Sequence, residues 1–202
     1  MAYGKSIELF LVNGTADSLI TAELSNWNGK AIKIPRIEVA ACSRDDISQA
    51  GVYFLFCKED DGSDSVYIGE AENVKERLVQ HLRDYQSEKE KYYWNTAVIF
   101  IGRDLNKALI RYLENRFVEI ARNCKRYVVL TKNTYRNTVM KESQIAVMEA
   151  EAILSYSFWA NAVSVYTCST SFLAIPYMAR VLYSAFSIYC YFQHNNFLLY
   201  SA

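Results

Sequence analysis

The chain has 202 residues, 51% of them apolar, and its 22 Lys and Arg balance 22 Asp and Glu to a net charge of zero. That length suits one generous domain, or one domain with an appendage, with enough apolar residues to bury a core. A balanced total excludes any argument for a polyanion partner from overall charge, so a basic surface has to be local. Cys42, Cys57, Cys124, Cys168 and Cys190 form no CxxC pair and keep no regular spacing. This argues against a zinc knuckle or disulfide scaffold and fits a reducing compartment. "MAYGKSIELFLVNG" has no basic stretch followed by a long apolar run. No signal peptide is therefore expected, and a cytoplasmic location is the default.

In chain order, "SIELFLVNG" and "KAIKIPR" read as strands around "LITAELSNWNG", a hairpin-like region within an N-terminal segment, 1–45. "DDISQAG" is a short helix or turn leading into the apolar run "GVYFLFCKE", a strand of a buried sheet. "DDGSDS" carries turn chemistry, and "VYIGEA" returns as the antiparallel partner. "NVKERLVQHLRDY" is a helix with Asn73 as N-cap and with Val74, Leu78, Leu82 and Tyr85 along one face. "TAVIFIG" makes a third strand. "LNKALIRYLENRFVEIARNC" is the strongest helix, striped by Leu109, Ile110, Leu113, Phe117 and Ile120. "RYVVLTKN" adds a further strand. The order strand, strand, helix, strand, helix predicts an α+β domain over 46–130: a small, mainly antiparallel three-stranded sheet flanked by helices. A connector, 131–151, follows.

From Ala152 onward the composition changes. Arg180 is the only full charge there, and 13 of the chain's 29 aromatic residues fall in this tail, 152–202. The window "FLAIPYMARVLYSAFSIYCYF" is long enough for a membrane span. Pro176, Arg180 and the absence of flanking basic residues make it a poor one. The other readings are an oligomer interface and an out-of-frame translation of the C-terminus.

Several residues on the central scaffold look chemical. Arg77 and His81 are four apart on the first helix, so their side chains emerge one above the other beside the apolar stripe. Glu114 borders the stripe of the second helix, a place where a carboxylate often serves a cation. Tyr53 and Tyr67 lie on paired strands, each two positions from a glycine, Gly51 or Gly69. Each has a plain structural reading as well. A strand favours tyrosine by shape, Arg77 can be a solvated helix residue, and His81 can be a core-edge histidine. Glu114 can pair with Lys107 or Arg111 for a few tenths of a kcal/mol, of the order of ~0.3. Lys75, Arg83, Lys89 and Lys91, interleaved with Tyr92, Tyr93 and Trp94, suit phosphate contact and base stacking. Glu76, Asp84, Glu88 and Glu90 dilute that charge, as on any solvated helix face.

Taken together, "GVY" at 51–53, "YIG" at 67–69, Arg77 in the next helix and Glu114 in "LIRYLENR" resemble the GIY-YIG endonuclease superfamily. The resemblance runs over about residues 50–125, and it is similar in detail to the stand-alone bacterial members up to Met148. Val52 replaces the first motif's isoleucine, and "KEDDGSDS" lengthens the connector between the two motifs. The resemblance implies hydrolysis of DNA phosphodiester bonds with one divalent metal, Mg²⁺ or Mn²⁺, held by Glu114, and no small-molecule cofactor. It implies Arg77 forked onto a phosphate oxygen and Tyr53 as general base, with Tyr67 and His81 in its hydrogen-bond network. Tyr53 starts from a pKa of about 10 and needs help to ionise. His81, starting at about 6.5, is itself a candidate base. Gly51 and Gly69 would let substrate or neighbouring backbone come close. The competing readings are a non-cleaving nucleic-acid-binding module that keeps the fold, and a membrane-associated protein that uses the tail. Oligomeric state and DNA specificity are not legible.

Overall fold

A computed structural model describes residues 6–25, 28–59 and 62–132, all within the unit spanning Met1–Glu149. The tail from Ala152, and the connector beyond Lys132, lie outside the described residues.

Every apolar run expected to extend does so, and all of them join one sheet. Its strands are β1 (Ile7–Leu11), β2 (Ile20–Leu24), β3 (Gly29–Pro35), β4 (Gly51–Lys58), β5 (Asp64–Ala71), β6 (Trp94–Gly102) and β7 (Val128–Val129). Their spatial order is β1-β2-β3-β6-β4-β5-β7. Neighbours are antiparallel except β5 and β7, which run parallel. The expected three-stranded sheet is therefore only the centre of a seven-stranded mixed one. The physical reason is β3, whose backbone pairs with β6 from Gly29 opposite Gly102 to Pro35 opposite Thr96. Ala31, Ile32 and Ile34 are buried, so this strand lies inside the sheet and carries the N-terminal hairpin in with it.

Strand alternation sends successive side chains of β4 to opposite faces. Tyr53, Leu55 and Cys57 face one way and join Ile32, Ile34, Ile99 and Ile101 in a core closed by Val74 and Leu78 of α2 (Val74–Gln86). Phe54 faces the other way, where its ring and that of Phe100 meet Phe117 of α3 (Lys107–Cys124) at 5.2 and 5.5 Å. The two long helices thus cover opposite faces. Both begin on asparagine: Asn73 Oδ1 accepts from the Glu76 N–H, and Asn106 Oδ1 from those of Ala108 and Leu109. Each cap is worth about 1 kcal/mol. A short α1 (Arg36–Val39) follows β3 directly.

At the far side, β7 pairs only with Ser65 and Val66 of β5. Thr131 Oγ1 then accepts from the Ile68 N–H at 2.8 Å and donates to the Ile68 carbonyl at 2.7 Å. Among the described residues no strand pairs with β5 beyond that point on its outer side. No helix among them is long and apolar enough to cross a membrane.

A chain beginning at Asp46 would lack β1 to β3 and leave the β3-facing edge of β6 unpaired. It is expected to lose its cooperative thermal transition, followed by circular dichroism. Ile37→Ala, at a position 85% exposed, should move the midpoint by no more than about 2 °C.

Candidate active site

Tyr53 stands directly opposite Gly69 in the β4–β5 ladder. A Cβ built on Gly69 would lie 2.5 Å from Tyr53 Oη and 2.7 Å from Cζ. The phenol therefore lies across the space that any other residue would fill. The same test on Gly51 runs into the backbone carbonyl of Phe100 and the side chains of Ile101 and Val74. Protein atoms occupy the room that both glycines leave. At Gly69 the occupant is the tyrosine of the other motif.

From this position Tyr53 reaches helix α2. Arg77 Nε donates to Tyr53 Oη at 3.3 Å, and His81 Nε2 lies 2.9 Å from the same oxygen. The i, i+4 spacing on α2 places these two side chains one above the other on the phenol. An arginine can only donate, so the phenol's own proton is free to go to Nε2, which makes Nε2 the bare nitrogen. His81 Nδ1 then carries the ring proton and donates to Glu90 Oε1 at 2.5 Å. Tyr67 closes the cluster, with its ring centroid 6.2 Å from Tyr53 and 5.5 Å from His81, and Tyr92 stacks on it at 5.5 Å.

Burial sets the charge states. It lifts the Tyr53 phenol well above its ordinary value, with Tyr67 acting in the same sense and Arg77 opposing. Burial also pushes the His81 imidazole down to about 3, helped by the nearby guanidinium groups of Arg77 and Arg36. At neutral pH Tyr53 is therefore a phenol and His81 a neutral imidazole. Burial raises Glu90 also, against the pull of Arg77.

Glu114 belongs to the other face. It projects from α3 one turn before Phe117, is only 7% exposed, and its Oε2 is buried with no hydrogen-bond partner. Glu70, opposite Val52 in the ladder, points to the same face. Lys107 Nζ and Arg111 Nε lie 3.4 and 3.6 Å from the Glu70 carboxylate. Burial, then the charge of Glu70, lifts the Glu114 carboxyl to about 7, with Arg111 and Lys107 opposing. Its charge reaches across the sheet, disfavouring ionisation of Tyr53. Tyr53, Tyr67, Arg77 and His81 are thus in direct contact as a group, and Glu114 faces them electrostatically across β5.

The outer residues divide. Lys75 and Arg83 line a shallow depression with Asn73, Gln80 and Ser48, and Arg83, Lys89 and Lys91 are exposed. Trp94 is corrected: it is fully buried, with the Arg36 guanidinium 4.7 Å over its ring, so no base can stack on it. Tyr93, 47% exposed, is the open aromatic of that segment. Sequence reasoning missed Glu90 and Glu70. Glu90 reaches His81 because Glu88 adopts a left-handed φ of 59° at the end of α2, and Lys89 and Glu90 bond back to the Asp84 carbonyl. No periodicity announces such a turn. Glu70 was findable, since strand alternation puts it on the α3 face as soon as Gly69 is placed on the other.

Residues 49–127 match the family model of the GIY-YIG catalytic domain. The match covers less than half of the chain and spans every element of the site, so this part of the chain is similar to that family. Members of that family are endonucleases in general. Comparison with curated proteins and with solved structures gives no match.

Two outcomes follow from the geometry. Gly69→Ala should displace the Tyr53 phenol while leaving the ladder paired, at a cost of about 1–3 kcal/mol in chemical denaturation. Tyrosine fluorescence should report the displaced ring. Glu114→Gln removes an acid that binds its proton more tightly folded than unfolded. The native form of the parent protein therefore holds an extra proton between about pH 4.5 and about 7, and loses stability as pH rises through that window. Without divalent metal, the variant's stability advantage should grow over that range in thermal melts, and a constant difference would contradict the burial of this carboxyl.

Proposed function

We propose that the protein is a divalent-metal-dependent endonuclease that hydrolyses DNA phosphodiester bonds. The observation that carries this reading is the facing pair of half-sites. A buried phenol and imidazole share a hydrogen bond on one side of β5, and a buried carboxylate oxygen lacks a partner on the other. The donor chemistry fits a hard divalent cation. Glu114 offers oxygen, its raised proton affinity marks it as a carboxylate short of positive charge, and Glu70 adds negative charge beside it. One protein carboxylate suits Mg²⁺ or Mn²⁺, which keep waters and take further oxygens from a phosphate. Once bound, the ion would stabilise charge on the scissile phosphate and the leaving oxygen.

The chain's own residues supply the rest. Arg77 orients the phosphate through its planar donors while its Nε holds the phenol. Tyr53 accepts a proton from the attacking water, and His81 takes the proton that Tyr53 gives up. Tyr67 and Tyr92 wall the cluster and exclude bulk water. Lys75, Arg83, Lys89 and Lys91 are the groups placed to meet backbone phosphates away from the cut. The reaction calls for no organic cofactor, and a cytoplasmic location fits the free cysteines Cys42, Cys57 and Cys124.

Supercoiled plasmid incubated with the full chain and Mg²⁺ should convert to open circles, and EDTA should stop the conversion. Glu114→Ala should lower the rate by about 100-fold or more, the equivalent of a few kcal/mol of lost charge stabilisation. Retarded migration of the plasmid without any nicking would leave a binding module in place of the enzyme.

A further inference from the structure

The Tyr53–His81 pair alone would make a poor base. Moving the phenol's proton to Nε2 creates a phenolate and an imidazolium, and burial opposes both charges. Arg77 stands at the phenolate end. At the imidazolium end stands the Glu90 carboxylate, delivered by the turn after α2. We propose that Glu90 is a positioning residue of this site, fixing His81 as the Nδ1–H tautomer and balancing the positive charge the imidazole acquires from Tyr53. The proposal rests on the nuclease reading for its kinetic consequence only.

A structural role explains Glu90 less well. Burying a carboxylate is costly unless it is paired; Glu90 Oε1 contacts His81 Nδ1 and the Tyr92 hydroxyl also bonds the carboxylate, but Oε2 is buried without a partner. A glutamine or an apolar side chain would fill the same place at less cost. The arrangement follows the logic by which a carboxylate orients a histidine and stabilises its cation in a hydrolase triad, with a phenol in place of the nucleophile. In the step itself, the water oxygen bonds to phosphorus as one of its protons passes to Tyr53 Oη. The phenol's proton passes to His81 Nε2. The P–O3′ bond breaks, its electron pair stays on the 3′ oxygen, and that oxygen takes a proton from a solvent water. The hydroxide so formed removes the extra proton from His81 and restores the starting state. Besides Tyr53 and Glu90, the groups acting on His81 are Tyr67, Arg77 and Arg36.

The test begins with long-range ¹H–¹⁵N spectra of the full chain labelled at its two histidines, His81 and His194, with His81→Asn to assign them. At pH 7 His81 should show a protonated Nδ1 and a bare Nε2, and the opposite tautomer overturns the proposal. Glu90→Gln should mix the tautomers and lower kcat for plasmid nicking about 100-fold with KM little changed. Glu90→Asp should recover part of the rate. A Glu90→Gln protein with altered stability but wild-type kcat and tautomer would make the residue purely structural and overturn the proposal. If the parent protein nicks no DNA, the nuclease reading fails, and the tautomer result still decides whether Glu90 orients His81.

Discussion

The site depends on one cross-strand pair, a tyrosine facing a residue without a side chain. Tyr53 is buried, and its ring lies where the Cβ of Gly69 would otherwise be. This contact directs the phenol along β5 toward α2, where Arg77 and His81 meet it. Register enforces the arrangement, because a slip of one residue in the β4–β5 ladder would turn Tyr53 toward the phenylalanines under α3. The two glycine–tyrosine motifs are therefore a single packing unit, each motif supplying what the other lacks. Gly51 makes the same kind of room for the backbone of β6 and so locks β4 into the middle of the sheet.

Strand β5 divides the site by chemistry. The phenol and imidazole lie on its α2 face, and the carboxylates with Lys107 and Arg111 lie on its α3 face. Alternation along the strand does this without any loop, sending Tyr67 and Gly69 one way and Glu70 the other. The short β7 matters here, since it covers Ser65 and Val66 and Thr131 satisfies Ile68. Among the described residues the outer side of β5 is thus paired at Ser65, Val66 and Ile68.

Much of this was legible in the sequence, for identifiable reasons. The apolar stripe of α3 and the cap Asn73 follow from local rules, and both stand in the fold. Arg77 and His81 were legible because helix spacing fixes their relation to one another. The seven-stranded sheet was not, because periodicity reveals a strand but not the partner it takes. Only the pairing of β3 with β6 turns an N-terminal hairpin into part of the same sheet. Trp94 misled because an aromatic beside lysines reads the same whether it faces solvent or lies under Arg36. Glu90 was hidden by a turn whose left-handed residue is a glutamate rather than a glycine.

The electrostatics of the cluster explain why its charged partners come in this pattern. A buried phenol, imidazole and carboxyl each resist taking charge, so none works alone near neutral pH. Tyr53 can give up a proton only if positive charge stands beside the oxygen and a neighbour takes the proton at once. In the proposed reaction Arg77 would meet the first need and His81 the second. The same low-dielectric setting that penalises an unbalanced charge strengthens each balanced one. On the α3 face Lys107 and Arg111 hold Glu70 as a partnered anion, which leaves Glu114 as the buried acid still short of a cation. Under the proposed nuclease reading, that shortfall would favour a metal at Glu114 over Glu70.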